Sequence, residues 1–184
     1  MEDIKQTYTI QWVGPFHSLS ERDAYFSKRD TCERALFSFY YFKGNKKGKG
    51  YISRRLYDYF GIHKHDNIAS RLNKRHEHFC KFRENKNLHI WIGTFANEEN
   101  QTAQTIEDVE NVFISTYKPT ENVKKKNHKL RYSICIINLW YKQNETPWKR
   151  KPASIRHMSD VLICETTEKY QRFLVANLKE VKSL

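Results

Sequence analysis

The chain has 184 residues, and its 33 Lys and Arg outweigh 21 Asp and Glu to give a net charge of +12. Hydrophobic residues at 39% and aromatics at 14% can fill the core of one decorated domain or two small ones, which excludes a wholly disordered chain. No run of about 18 apolar residues occurs, which excludes a membrane-spanning helix, and the positive excess points to a polyanionic partner.

The first ten residues, MEDIKQTYTI, lack the basic-then-apolar pattern of a secretory signal, so the expected location is cytoplasmic. YTIQWVGPF (8–16) reads as a strand stopping at Gly14-Pro15. SERDAYFSKRDTCERA (20–35) has helical spacing behind Ser20 as N-cap. An aromatic run from Leu36 to Gly44, the basic turn NKKGKG and a second strand from Gly50 to Arg55 make a hairpin. NIASRLNKRHEHFCKF (67–82) reads as a helix with Ile68, Leu72 and Phe79 on one side. LHIWIGTF (88–95) is a strand in which Gly93 marks a bulge or a close backbone approach.

TIEDVENVFISTY (105–117) predicts a helix capped by Thr105, with Glu110 near its head and Ile106, Val109 and Phe113 as its buried stripe. Lys118-Pro119 ends it. LRYSICIINLWYK and DVLICET read as strands around a loop, ETPWKRKPAS, and EKYQRFLVANLKEVK (168–182) reads as a closing helix. That order describes an α/β sandwich on a mainly antiparallel sheet.

Cys32, Cys80, Cys135 and Cys164 are scattered without a C-x-x-C pair, so buried thiols are a better reading than zinc or disulfides. Five of the eight histidines lie between residues 63 and 89. His63, His65 and Asp66 have metal-ligand composition, yet two histidines two apart in a loop suit exposure or a phosphate better than a structural metal. Basic residues concentrate in two stretches, Arg54 to Lys86 and Lys118 to Arg156, on either side of the acidic 105–117 segment.

Taken in order, Ser38-Phe39-Tyr40, Tyr51-Ile52-Ser53, Arg71, Glu110 and the Lys118-Pro119-x-x-Asn122 signature resemble the GIY-YIG nuclease family over residues 36–123. The two tyrosines lie eleven apart, as two strands of one hairpin require, and the Glu110-to-Asn122 interval matches the family's excision-repair and structure-specific branches. Ser38 and Ser53 stand where the family has glycine. Arg75 stands where many members have His or Tyr, with His76 beside it as the candidate for that role.

The resemblance implies an α/β fold with a mainly antiparallel three-stranded sheet flanked by helices. It divides the chain into an N-terminal extension (1–35), a catalytic core (36–123) and a basic C-terminal extension (124–184). It also implies metal-dependent hydrolysis of DNA phosphodiesters, with restriction-type or phage-borne enzymes as the nearest fit in size. Glu110 would hold one Mg²⁺ or Mn²⁺ ion, Tyr40 or Tyr51 would activate water, with Tyr40 preferred as base, Arg71 would clamp the phosphate and Asn122 would orient the site. Arg54, Arg55, Lys74, Arg75, Lys124, Lys125, Lys126, Lys149, Arg150 and Lys151 are the expected phosphate anchors on DNA. A palindromic target would require a homodimer. Two other readings share the scaffold: a nucleic-acid binder that has lost catalysis, and a protein that blocks another nuclease.

Overall fold

A computed structural model of the chain describes residues 4, 6–28, 37–47, 52–64, 68–122 and 129–178, with the backbone alone at 52–54 and 98. In chain order the elements are β1 (Gln6–Phe16), α1 (Leu19–Ser27), β2 (Ser38–Lys47), β3 (Ile52–His63), α2 (Ile68–Arg71), β4 (His89–Phe95), α3 (Ala103–Tyr117), β5 (Ile134–Tyr141), β6 (Val161–Thr166) and β7 (Gln171–Ala176).

The expected three-stranded sheet with added extensions is not what forms. One mixed seven-stranded sheet runs in the order β3-β2-β4-β1-β5-β6-β7, and α1, α2 and α3 are short beside it. β1 takes the centre, antiparallel to β4 and parallel to β5, so strands from either end of the chain join the hairpin in a single sheet. The cause is visible in β4, where Ile90, Trp91, Ile92 and Gly93 are all buried. A strand apolar on both faces needs a neighbour on each edge and cover on each side.

Successive residues divide between two cores, as the strand period demands. Phe39, Tyr41, Phe60 and Trp91 pack with α3 through Ile106, Val109 and Phe113. Tyr40, Phe42, Ile90 and Ile92 pack with Leu19, Phe26, Ile68, Leu72 and Phe79. Trp12 of β1 is the hub of the first core: it stacks on Trp140 at 5.6 Å and meets Phe39, Phe60 and Phe113 within 6.2 Å. Its indole donates to Asn138 Oδ1 at 2.9 Å, and Asn138 donates to the Ser159 carbonyl. Gly93 is the close approach expected of it, since a Cβ there would meet Trp12 Cε3 at 2.9 Å.

Several boundaries differ from expectation for local reasons. β1 does not stop at Gly14-Pro15; it crosses a cis peptide and a register shift to reach Phe16. Ser18 and Thr102, not Ser20 and Thr105, cap α1 and α3, accepting from Glu21 N and Thr105 N at 3.1 Å. Glu110 therefore sits in the middle of α3 rather than at its head.

The helix expected over 67–82 shrinks to Ile68–Arg71 and a later 3₁₀ turn, Phe79–Lys81. Asn73 breaks it: its side chain donates to the Ser70 carbonyl at 2.5 Å and accepts from Arg75 N at 2.8 Å, replacing the helical ladder. Of the closing helix expected over 168–182, residues 171–176 instead form β7, paired to β6, where the directly opposed Arg172 and Glu165 form an ion pair at 2.5 Å, and residues 179–182 lie outside the described residues. Among the described residues, no helix is long and apolar enough to cross a membrane, which leaves β-barrels unaddressed.

Trp12→Ala should cost about 3–5 kcal/mol in urea unfolding, and Asn138→Ala about 1–3 kcal/mol by stranding the buried indole N–H.

Candidate active site

The hairpin sets the first two side chains. Tyr40 on β2 faces Gly61 on β3, and its ring lies where a Gly61 Cβ would be, 2.5 Å from Tyr40 Cζ and 2.6 Å from Oη. Only glycine admits that approach. Two residues before Gly61, Tyr59 stacks on Tyr40 at 6.1 Å between ring centres. Arg71, the last residue of α2, and Glu110, from α3 and 6% exposed, complete the group with Asn122. Tyr40, Tyr59, Arg71, Glu110 and Asn122 line one cleft of about 400 Å³, together with Glu77, His78, Glu121, Ile62 and Ile114.

Residues 118–122 work as a clasp on β3, the edge strand. Lys118 adopts the left-handed conformation (φ 47°) and donates its N–H to the Ile114 carbonyl, which closes α3. Asp58 and Thr120 exchange bonds, Asp58 N to Thr120 Oγ1 and Thr120 N to Asp58 Oδ1, each at 2.8 Å. Asn122 then mimics a neighbouring strand: Phe60 N donates to its Oδ1 at 2.9 Å, and its Nδ2 donates to the Phe60 carbonyl at 2.7 Å. Those bonds hold β3 on both sides of Tyr59. Glu121 is turned to an ion pair with Lys46 at 2.6 Å.

His76 is buried behind Tyr40, with its Nε2 at 2.9 Å from Tyr40 Oη. Its tautomer follows from its other nitrogen. Nδ1 receives the backbone N–H of Phe79 at 3.2 Å and of His78 at 3.3 Å, so it carries a lone pair. Burial, with Arg71 and His78 adding to it, pushes the ring down to about 4, so at neutral pH the single proton is on Nε2 and is donated to Tyr40. His76 is thus a donor to Tyr40 and not an acceptor of its proton. The Tyr40 phenol is held well above its ordinary range by burial and then by Tyr59, against the opposing pull of Arg71. Tyr59 is raised by burial and by Glu110, with Arg71 again opposing.

The remaining expected residues are dispersed. Tyr51, Lys124, Lys125 and Lys126, with His65 and Asp66, lie outside the described residues, and Arg54 is described only as backbone in β3. The Arg55 guanidinium lies over the Tyr57 ring at 5.4 Å. Lys74 and Arg75 line a separate depression with Arg22, Asp23 and Asn73. Lys149 and Arg150 are exposed in the loop after β5, whereas Lys151 is held internally by the Met158 carbonyl and by Asp160 at 2.9 Å.

Tyr59 was missed, although Tyr59-Phe60-Gly61 retains a closing glycine and lies twelve positions before Arg71 rather than twenty. Glu77 and His78 also enter the cleft without a sequence signal. Among the described residues, no three His, Cys, Asp or Glu side chains cluster as a metal cage. The cleft carries three carboxylates, Glu77, Glu110 and Glu121, of which Glu121 is paired to Lys46, and Asn122 is committed to Phe60. Carboxylate oxygens suit a hard cation that keeps several waters, such as Mg²⁺ or Mn²⁺, better than a closed zinc site.

Comparison of the chain with protein-family models, with curated proteins and with solved structures finds no match.

Because the His76 ring binds its proton more weakly folded than unfolded, stability should be complete above pH 6.5 and fall as pH drops from about 6.5 towards 4. Urea midpoints measured across that window should fall less steeply in His76→Gln. Asn122→Ala should lose about 1–3 kcal/mol by the same assay, because two backbone groups of Phe60 lose their partners.

Proposed function

We propose that the chain is a metal-dependent endonuclease of the GIY-YIG type that hydrolyses DNA phosphodiester bonds. One observation carries the reading: Tyr40, Tyr59, Arg71, Glu110 and Asn122, drawn from two strands, two helices and a clasp, line the same cleft. In this reading Tyr59-Phe60-Gly61, not Tyr51-Ile52-Ser53, is the second family tripeptide. Only Ser38 then departs from the glycine pattern.

Glu110 would hold Mg²⁺ or Mn²⁺, which when bound supplies positive charge for the phosphoryl oxygens and lowers the pKa of a coordinated water. The chain's own groups do the rest. Arg71 offers a planar fork to the scissile phosphate. Tyr40 Oη accepts a hydrogen bond from His76 Nε2 and interacts with Arg71, so it is the phenol best supported for relaying a proton: being neutral, it would take one from water as it passes its own on to the cleft. Tyr59 borders the same volume and orients that water. Asn122 acts through β3 and does not touch the reacting atoms. His78, lying flat on Tyr59 at 4.2 Å, limits the positions the Tyr59 ring can adopt.

The net charge supports a nucleic-acid partner, taken here as DNA, and Arg55, Lys74, Arg75, Lys149 and Arg150 are the described cations that would meet its phosphate backbone. A cytoplasmic location and a homodimer on palindromic targets belong to the same proposal.

Supercoiled plasmid and labelled duplex or branched DNA, incubated with Mg²⁺ or Mn²⁺, give the test. Glu110→Ala should abolish cutting while leaving salt-sensitive DNA binding in place, and Arg71→Ala should slow it by roughly 10²–10³-fold. Tyr59→Phe should slow it by roughly 10²-fold or more, and Tyr51→Phe should leave it near wild type. Cleavage that survives Glu110→Ala overturns the assignment of the cleft. A wild type that binds DNA and never cuts is the non-catalytic binder.

A further inference from the structure

Away from the cleft, two histidines 72 positions apart are brought together where β1 turns into α1. His17 follows β1, His89 opens β4, and these strands are direct neighbours with Phe16 opposite Ile90. Their rings meet at 5.1 Å between centres, with planes at 68°.

The tautomers are settled by their partners. His17 Nδ1 lies 2.8 Å from the Leu88 carbonyl, and His89 Nδ1 lies 3.0 Å from the Asn87 carbonyl. A carbonyl only accepts, so each Nδ1 carries the proton and each neutral ring has its lone pair on Nε2. An imidazole whose Nδ1–H is tied to a backbone carbonyl is the form in which histidine ligates metals, because the tie orients the ring and raises the basicity of the other nitrogen. Here successive carbonyls of one segment, Asn87 and Leu88, orient both rings.

The separation fits as well. Two imidazoles joined to one ion by Zn–N bonds of about 2.1 Å, at a near-tetrahedral angle, hold their ring centres about 5 Å apart.

We propose that His17 and His89 form a two-imidazole site for a transition-metal dication of the Zn²⁺ type, bound through both Nε2 atoms, with water completing the coordination. The chemistry is distinct from that at Glu110, since imidazole nitrogens select borderline ions whereas carboxylate oxygens suit Mg²⁺. Two charged groups act on the site. Lys43, directly opposite His89 across the β2–β4 ladder, opposes a cation. Glu21, whose Oε2 accepts the His17 backbone N–H at 2.6 Å, favours one. A metal there would cross-brace the end of β1 to the start of β4, and so stabilise the folded chain by mass action. The inference does not depend on the endonuclease reading.

Calorimetric titration of the full chain with Zn²⁺ at pH 7.5, paired with thermal melts, tests it. The wild type should bind an equivalent that raises Tm. His17→Ala and His89→Ala should each lose that binding and the Zn²⁺-induced rise in Tm, read against each variant's own melting in metal-free buffer. His157→Ala should retain both. Electron paramagnetic resonance with one equivalent of Cu²⁺ should show coupling to two nitrogens in the wild type and to one in either variant, so a single well-folded variant suffices. Zn²⁺ binding of undiminished affinity in the His17 and His89 variants, or no binding by the wild type, overturns the proposal.

Discussion

The packing of Trp12 constrains everything else. Its ring stands between Trp140 on one neighbouring strand and Phe39, Phe60 and Phe113 on the hairpin and α3, with its one polar atom tied to Asn138, which is fully buried. A large aromatic that buries its whole surface and satisfies its donor contributes heavily to a core. Here it also decides topology. β1 must lie between β4 and β5 for those contacts to exist, so the hairpin carrying Tyr40 and Tyr59 and the strands beyond residue 129 become parts of one sheet. Gly93 keeps β4 free of a side chain under the Trp12 ring.

The second constraint is local. β3 is an edge strand, and an edge with free backbone groups is open to unwanted pairing. The segment after α3 closes it with side chains: Thr120 answers Asp58, and Asn122 answers Phe60. One clasp therefore does two things. It satisfies an exposed edge, and it fixes the strand on which Tyr59 and Gly61 stand, at a point where Gly61 must accept the Tyr40 ring. Asn122 serves the cleft by holding its wall.

What could be read from the sequence was local and strongly patterned. The apolar run of β4, the buried stripe of α3 and the order Tyr40, Arg71, Glu110, Asn122 needed no knowledge of distant contacts. What could not be read depended on such contacts, or on one side chain overruling a pattern. The apolar spacing of 67–82 is helical, but Asn73 takes the Ser70 carbonyl that Lys74 would need. The run around Phe173 suits a helix or a strand, and β6 decides it. Tyr51 and Tyr59 are eight residues apart, an even interval, so strand periodicity gives both the same face. Periodicity does not supply the register that sets Tyr40 opposite Gly61, two residues after Tyr59. The closing glycine of Tyr59-Phe60-Gly61 was the available signal, and its reason is steric.

The same steric fit shapes the chemistry of the cleft. Pressing Tyr40 onto Gly61 buries its hydroxyl, and burial makes the phenol harder to ionise. His76 offsets part of that cost. Being neutral, with Nδ1 engaged by Phe79 and His78, it can only donate to Tyr40 Oη, which leaves the phenol's own proton to point elsewhere. Arg71 adds positive charge against the same oxygen. On the endonuclease reading the consequence is directional: as Tyr40 takes a proton from water on the cleft side, its own phenolic proton must leave to the cleft as well, since the path into the core is blocked by a ring that already carries its proton on the facing nitrogen. His76 then tunes the basicity of Tyr40 without relaying protons, and a glutamine that keeps a donor at that place would preserve more of the function than an apolar residue of similar size.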